Sequence, residues 1–237
     1  MKKQKRLGQH FLISESIAKS IVGAAELTKK DTVLEIGTGK GILTPFLCKE
    51  AKKVISIESD KKLYLKSSLK FSKISNLNLK HGNGFKTNEK FTVFISNLPF
   101  SQSRKAMEWL IEKRFSRAIV MVQKEFAEKL FVTGKKRRAV SVLVNYATDI
   151  QCFMSVNKSN FYPIPRVDSS VLKLKRKKTL NKKLIKTVNK LFSYKRKKLP
   201  NVLKQFGQYI ESEKRIEDLT GDEIIKIAKQ INRKQSV

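Results

Sequence analysis

The fold of this chain is decided by the stretch Val33-Leu34-Glu35-Ile36-Gly37-Thr38-Gly39-Lys40-Gly41. It is a hydrophobic run that leads into a glycine-rich turn, and a helical pattern follows it. Glycines in such a turn permit positive φ and let the backbone approach a ligand closely. In doubly wound sheets the ligand binds at the carboxyl ends of the strands, where this turn lies. The stretch therefore predicts a nucleotide-type site, and the alternative is an ordinary tight strand–helix turn.

An acidic residue at a suitable distance supports the ligand site. Glu58 follows Gly37 by 21 residues and ends the second predicted strand. A carboxylate about 20 positions after the glycine turn is suited to grip a ribose diol. The glycines are spaced GxGxG instead of GxGxxG, and Ile42 occupies the place of the last glycine. A pyrophosphate is therefore disfavoured, and a ligand with a ribose but no phosphates, such as S-adenosylmethionine, fits better.

Hydrophobic periodicity predicts an α/β fold over residues 31–175. Short β-branched runs alternate with helical patterns near 42–51, 60–71 and 101–114, which predicts right-handed crossovers and a mostly parallel sheet. An amphipathic helix that Ser14 caps precedes them. The predicted strands are Thr32–Ile36, Lys53–Ile57, Leu77–Lys80, Thr92–Ser96, Ala118–Val122, Ile150–Ser155 and Ser170–Leu174, the last two as an antiparallel edge hairpin.

The end of the chain has a different pattern. Helical patterns cover Leu180–Phe192, Asn201–Tyr209 and Asp222–Asn232, with no strand between them. We therefore predict two domains, an α/β domain at residues 1–177 and a small helical appendage at 178–237.

The charge balance indicates a polyanionic partner. Lys and Arg number 52 against 20 Asp and Glu, a formal net charge of +32, and no acid occurs from Ser169 to Ile210. Nucleic acid is the favoured partner, and a solvated basic face or a membrane surface are the alternatives. The hydrophobic fraction of 40% excludes a wholly disordered chain, and no apolar stretch reaches the roughly 18–20 residues that span a bilayer.

The cysteines and histidines predict neither a disulfide scaffold nor a metal site. Cys48 and Cys152 form no CxxC pair, and together with His10 and His81 they show no ligand spacing. The N-terminus is basic but has no apolar segment of the signal-peptide type. We expect a reducing, cytoplasmic location.

Several motifs carry a resemblance to a known family. The stretch Glu35–Gly41 resembles the first motif of class I S-adenosylmethionine methyltransferases, and Asn97-Leu98-Pro99-Phe100 resembles their amino-methyltransferase motif N-[IL]-P-[YF]. Gly8-Gln9-His10-Phe11-Leu12 and Phe161-Tyr162-Pro163-Ile164-Pro165-Arg166-Val167-Asp168-Ser169 resemble the flanking signatures of the rRNA adenine N6-dimethyltransferases.

Two motifs near the C-terminus distinguish subgroups of that family. The KsgA-type enzymes act on the small ribosomal subunit, and the Erm-type enzymes act on the large one. The segment Phe192–Leu203 resembles the KsgA-type stretch F-x-x-R-R-K-x-L-x-N-x-L, and Arg215-x-Glu217-x-Leu219 resembles its later R-x-E-x-L. The resemblance, which covers nearly the whole chain, favours the KsgA type.

The resemblance implies both a fold and a function. The fold is a class I, Rossmann-like methyltransferase with a mostly parallel seven-stranded sheet and a small all-helical C-terminal domain. The function is the transfer of two methyl groups from S-adenosylmethionine to N6 of adenosines in small-subunit ribosomal RNA, linked to ribosome biogenesis. The expected partner is ribosomal RNA within a small-subunit particle, with no membrane partner and the enzyme a monomer. The alternatives are an Erm-type enzyme for large-subunit rRNA and a non-catalytic ribosome-assembly factor that binds RNA.

The chemistry of adenine methylation gives the Asn-Leu-Pro-Phe motif its predicted roles. The lone pair of the exocyclic amine is delocalised into the ring, which makes the amine a poor nucleophile. An enzyme group that accepts hydrogen bonds from the N6 hydrogens leaves this lone pair available to attack the methyl group. The side-chain oxygen of Asn97 and the backbone carbonyl of Leu98 are the predicted acceptors. Pro99 holds the turn rigid, and Phe100 offers a stacking face worth roughly 1–3 kcal/mol. In KsgA-type enzymes Tyr is commoner than Phe at this last position.

The resemblance implies further contacts, residue by residue. The implied S-adenosylmethionine contacts are His10, Leu12, Gly37, Gly39, Glu58, Asn83 and Asn97, where Asn83 replaces the usual Asp of the family. Phe161 is a second stacking wall for the target base, with a core phenylalanine as the alternative. The basic run Lys195, Arg196, Lys197 and Lys198 is a predicted RNA contact.

Overall fold

The computed structural model describes residues 10–234, and these fall into two compact units. Unit 1 contains residues 10–106, 114–127 and 150–176, and unit 2 contains residues 107–113, 128–149 and 177–234. The sequence predicts two contiguous domains, 1–177 and 178–237. In the structure, the internal segments 107–113 and 128–149 also belong to unit 2. These segments join unit 2 through contacts such as the hydrogen bond from the Leu180 amide to the Ile111 carbonyl, 2.9 Å long. Gly8 and Gln9 of the N-terminal motif lie outside the described residues.

A seven-stranded sheet forms the centre of unit 1. The strands are β2 (Thr32–Ile36), β3 (Lys53–Glu58), β4 (Leu77–His81), β5 (Val93–Asn97), β6 (Arg117–Gln123), β7 (Thr148–Val156) and β9 (Ser169–Arg176). Their order in the sheet is β4-β3-β2-β5-β6-β9-β7; the first five in this order are parallel to one another, and β9 is antiparallel to β6. The prediction of a mostly parallel sheet is confirmed.

Helices link the parallel strands as the periodicity predicts. The helices that lie wholly or partly in unit 1 are α1 (Glu15–Ala24), α2 (Thr44–Glu50), α3 (Lys61–Lys70), α4 (Ser103–Leu110) and α5 (Lys124–Phe131). Ser14 caps α1, because its hydroxyl accepts a hydrogen bond from the Ile17 amide, and Asp60 caps α3 through the amides of Lys62 and Leu63. A second, two-stranded sheet joins β1 (Phe11–Leu12) to β8 (Phe161–Tyr162), and the sequence analysis did not predict it.

Unit 2 contains four complete α-helices among its described residues, together with the C-terminal ends of α4 and α5. The complete helices are α6 (Ala139–Ala147), α7 (Lys182–Ser193), α8 (Leu199–Lys204) and α9 (Gly221–Lys234). Helix α7 buries Leu184, Ile185, Val188 and Leu191, a 3.6-residue spacing that the sequence shows. Helix α6 was not predicted, because its sequence AVSVLVNYA is rich in β-branched residues and is buried on nearly all sides. No helix within residues 10–234 is long and apolar enough to cross a membrane.

Candidate active site

The glycine-rich turn has the backbone geometry that its sequence predicts. It follows β2, and Gly37 and Gly39 have φ values of +85° and +58°, in the left-handed region that favours glycine. The amide of Gly37 donates a hydrogen bond to the Ile57 carbonyl at the end of β3, 2.8 Å away. The turn is thereby attached to the neighbouring strand, with its backbone lining an open cleft.

Glu58 ends β3 and holds this turn from the side. Its side chain is only 3% exposed. One carboxylate oxygen accepts from the Gly39 amide at 2.8 Å, and the other accepts from the Asp60 amide at 2.8 Å. Each carboxylate oxygen has two lone pairs, so Glu58 keeps acceptor capacity for the hydroxyl groups of a ligand.

A cleft of about 500 Å³ opens beside the turn, within the size range of small-molecule sites. Elements β1, β2, β3 and β5 and the loop after β4 contribute to its wall, because the carboxyl ends of parallel strands meet at one edge of the sheet. All seven predicted cofactor residues line it: His10, Leu12, Gly37, Gly39, Glu58, Asn83 and Asn97. Their individual contacts stay a prediction, but the structure brings the whole set together.

The first three residues of the Asn-Leu-Pro-Phe motif form the cleft wall at the end of β5. Asn97, Leu98 and Pro99 line the cleft, whereas Phe100 is not one of its lining residues and begins a short 3-10 turn. The carbonyl of Pro99 accepts from the Gln102 amide at 2.8 Å, which keeps the turn tight. The ring of His10 stacks on Phe100 with centroids 5.6 Å apart, and its Nδ1 lies 2.7 Å from the Pro163 carbonyl. The motif is therefore tied to both flanking signatures.

Glu35 also lines the cleft, although its sequence context predicts no role for it. Glu35 is 1% exposed and lies one residue before the end of β2. Burial raises the pKa of Glu35 to about 7, although hydrogen bonds from Ser56 and Thr44 act in the opposite direction. Both hydroxyls donate to the same carboxylate oxygen, at 2.5 and 2.9 Å. A carboxyl within a buried strand is unusual, and that anomaly was the available signal.

Phe161 lies in the hydrophobic core and not at the predicted stacking position beside the target base. Its ring is 1% exposed and packs in the hydrophobic core of unit 1 with residues such as Leu12 and Val156. As placed, the ring offers no face to a base, which corrects the prediction of a second stacking wall and supports the core alternative. Successive side chains of a strand point to opposite faces, so the next residue, Tyr162, is 64% exposed.

Tyr162 belongs to an aromatic and cationic group at the cleft that is not predicted from the sequence. The ammonium of Lys40 lies 5.6 Å from the Tyr162 ring centroid and 5.1 Å from that of Phe11. Lys40 and Phe11 line the cleft. The pairing of β1 with β8, which brings the two rings into register, carries no local sequence signal.

Asn83 occupies the loop after β4. Its side-chain oxygen accepts from the Phe85 amide at 3.0 Å, which caps a 3-10 turn at Gly84–Lys86. An Asp could make the same cap, so the exchange of Asp for Asn retains the local structure. The amide group of Asn83 also supplies a donor at the cleft that an Asp lacks.

The predicted RNA-contact run lies in unit 2, between α7 and α8. Arg196, Lys197 and Lys198 are exposed. Lys197 lies 5.1 Å from the ring of Tyr194, and Lys198 forms an ion pair with Glu213 at 2.5 Å. Because the cleft is lined by residues of unit 1 alone, these side chains are not part of its wall. Their contact with RNA stays a prediction.

The residues of the cleft fit the S-adenosylmethionine that the resemblance implies. The left-handed glycines leave the turn backbone open to a ligand, and Glu58 has acceptor capacity for a ribose. Apolar side chains such as Ile36 and Ile57 line the same cleft and offer packing for a heterocycle. Within residues 10–234, no group of three His, Cys, Asp or Glu side chains lies close enough together to hold a metal ion.

Comparisons with known proteins give a consistent result. A family model described as ribosomal RNA adenine dimethylase matches residues 1–233. The ribosomal RNA small subunit methyltransferase A of Thermotoga maritima is 39% identical over 239 residues, which span 97% of this chain and 86% of the relative. The crystal structure of a dimethyladenosine transferase from Plasmodium falciparum has a TM-score of 0.80 and 27% identity, over 95% of this chain and 98% of that one. The 23S rRNA methyltransferase ErmE, with a TM-score of 0.68 and 20% identity over 94% and 99% of the two chains, shares the fold.

Proposed function

Because this chain belongs to the ribosomal RNA adenine dimethylase family, we propose that it transfers methyl groups from S-adenosylmethionine to N6 of adenosines in small-subunit ribosomal RNA. One observation carries the proposal. The glycine turn, the carboxylate of Glu58 and the start of the Asn-Leu-Pro-Phe motif line a single cleft. A cofactor site and an amine-binding motif are thus adjacent, as transfer between two bound molecules requires.

The residues at the end of β5 act on the target amine. The side-chain oxygen of Asn97 and the backbone carbonyl of Leu98 accept hydrogen bonds from the two N6 hydrogens. These bonds orient the amine and make its lone pair available. Bound S-adenosylmethionine supplies an electrophilic methyl group on a sulfonium. Phe100 supports the base by stacking, and the turn at Pro99 keeps both acceptors in position.

The target adenosine must leave its stack to reach this cleft. An exocyclic amine inside a stacked helix is out of reach of side chains at the end of a strand, so the nucleotide is extruded into the site. Unstacking costs a few kcal/mol, and contacts with Phe100 and the phosphate backbone offset it. The basic run Lys195–Lys198, whose last three residues are exposed, and the net charge of +32 supply the contacts with the phosphate backbone.

The finer parts of the proposal concern the substrate and the assembly. We propose that the enzyme transfers two methyl groups to each base. We also propose that it acts on a small-subunit particle, as a monomer in the cytoplasm. The small-subunit target is supported by the name of the Thermotoga maritima relative and by the C-terminal motifs at Phe192–Leu203 and Arg215–Leu219. The Erm-type alternative, a large-subunit target, has in its favour the shared fold and Phe100, a position at which Phe is commoner in Erm-type enzymes.

The experiment that tests the function measures transfer of tritiated methyl groups from S-adenosylmethionine to purified subunits and to naked rRNA of each subunit. We expect label in the small subunit, recovered as dimethyladenosine after digestion. Asn97→Ala should lower transfer by orders of magnitude while cofactor binding persists, because Asn97 acts on the amine. Label in the large subunit would select the Erm-type reading, and transfer by Asn97→Ala at the wild-type rate would remove the assigned role of this residue.

A further inference from the structure

A second cleft, in unit 2, has a strongly basic lining. It has a volume of about 520 Å³ and lies where α6, α7 and α9 meet. Its lining includes four cationic side chains, Lys178, Lys183, Lys229 and Arg233, and no Asp or Glu. Like charges gathered around one concave surface repel each other, so the arrangement is unfavourable unless an anion binds there.

Tyr146 lies among these cations and organises two of them. Its phenol oxygen accepts a hydrogen bond from the Lys229 ammonium at 2.7 Å. The Lys178 ammonium lies 4.3 Å from the centroid of the same ring. The hydrogen bond from Lys229 holds the pKa of Tyr146 below its usual value, together with Lys178 and against partial burial. The side chain therefore lies in a positive local potential.

Two of the cations have no carboxylate partner among the described residues. Neither Lys178 nor Lys229 has a carboxylate oxygen of residues 10–234 within ion-pair distance. Asp149, at the start of β7, is paired with Lys177 at 3.1 Å. The backbone of Lys178 is fixed, since its amide donates to the Ala147 carbonyl at the end of α6, 3.0 Å away.

The end of α9 provides only part of the missing negative charge. Lys183 donates to the Asn232 carbonyl at 3.0 Å, which is a helix C-terminus contact. A helix C-terminus carries the equivalent of about half a negative charge. Four cations therefore leave a large excess of positive charge in the cleft.

We propose that this cleft binds a backbone phosphate of the RNA substrate, as a second contact separate from the run Lys195–Lys198. Lysine ammonium groups are point charges that suit a phosphate oxygen without reading sequence. The hydroxyl of Tyr146 accepts from Lys229, so its own hydrogen is available to donate to the anion. Ammonium groups lie against the Tyr146 ring, which leaves it poorly suited to stack a base. The identification of the partner as RNA rests on the proposed function, whereas the affinity for phosphate is argued from the residues of the cleft.

The test compares two double variants of the full chain with equal loss of charge. Lys178→Ala/Lys229→Ala changes the cleft, and Lys186→Ala/Lys226→Ala removes exposed lysines of α7 and α9 that do not line it. The probe is a labelled fragment of small-subunit rRNA, and its affinity is measured by fluorescence anisotropy from about 50 to 200 mM salt. Circular dichroism and thermal melts check that both variants are folded.

The cleft variant should weaken RNA binding and flatten the salt dependence. The logarithmic slope is about 0.7–0.9 for each neutralised phosphate, so each lost contact corresponds to about a fivefold to eightfold loss of affinity near 0.1 M salt. Tyr146→Phe should weaken binding about twofold to tenfold with an unchanged slope, since it removes a neutral hydrogen bond. The matched control should change affinity by less than about twofold, because distant exposed charges are screened.

Two results would overturn the inference. Equal weakening of RNA binding by both double variants would mean that net charge alone matters. Unchanged RNA binding by the cleft variant would remove the contact; if titration with inorganic phosphate then shows binding that the cleft variant has lost, the cleft is a site for a free anion. Methyl transfer by the wild-type protein is measured separately. If wild-type protein binds the RNA through the cleft but methylates neither subunit, the proposed function fails and the phosphate site stands.

Discussion

Replacing Glu35 by Gln should change how the stability of unit 1 depends on pH. The carboxyl of Glu35 is buried, and its pKa is raised from 4.5 to about 7. Below pH 4.5 it is protonated in both the folded and the unfolded chain. Between pH 4.5 and about 7 the unfolded chain releases the proton while the folded chain retains it, so the free energy of unfolding falls as the pH rises. Above about pH 7 both states are ionised and the loss is complete.

The magnitude follows from the distance between the two pKa values. Each pH unit corresponds to about 1.4 kcal/mol, so the interval from 4.5 to about 7 gives a loss of about 3 kcal/mol. Gln has nearly the shape of a protonated Glu, and its amide oxygen can accept from Thr44 and Ser56 as the carboxyl does. Glu35→Gln should therefore equal the wild type near pH 4.5 and exceed it by about 3 kcal/mol at pH 8.

Urea denaturation at a series of pH values, followed by circular dichroism, measures this difference. Other titrating groups are common to both proteins and cancel when the two unfolding free energies are subtracted. A difference that stays constant from pH 4.5 to 8 would refute the reasoning, because it would mean that folding leaves the pKa of Glu35 unchanged. A wild type that gains stability over the variant as the pH rises would also refute it, because the cleft would then stabilise the carboxylate.

Three other predictions concern the cleft and its surroundings. Glu58→Ala should weaken S-adenosylmethionine binding by about 1.5–3 kcal/mol in titration calorimetry, the size of a hydrogen bond to a charged group; unchanged affinity would make Glu58 only a support of the glycine turn. Phe100→Ala should lower kcat/KM for RNA by a factor corresponding to about 1–3 kcal/mol of stacking, and Phe100→Tyr should retain it; equal loss in both variants would exclude stacking as its role. Phe161→Ala should lower the free energy of unfolding by about 3–5 kcal/mol, as for other buried aromatic side chains, whereas Tyr162→Ala should leave it unchanged in urea melts and lower kcat/KM; the opposite pattern would return the stacking role to Phe161.

The sequence by itself determined the sheet and the placement of the cleft. The strands β2, β3 and β5 are short β-branched runs, and alternation with helices imposes parallel neighbours, so the carboxyl ends of these strands had to meet. The turn at Gly37 and the carboxylate of Glu58 lie at such ends. Their convergence follows from the common direction of the parallel strands, which the alternation of strands and helices along the sequence imposes.

Burial and long-range pairing were decided by the tertiary structure. The motif around Phe161 shows two adjacent aromatic residues, and only the pairing of β8 with β1 determines that Phe161 faces the core and Tyr162 the solvent. Helix α6 contains three Val residues, whose β-branched side chains favour strands. Its burial among the other helices of unit 2 nevertheless stabilises the helical conformation. The raised pKa of Glu35 and the basic cleft around Tyr146 have the same origin. Both depend on side chains that are far apart in sequence, and their dielectric surroundings and charge neighbours exist only after folding brings them together.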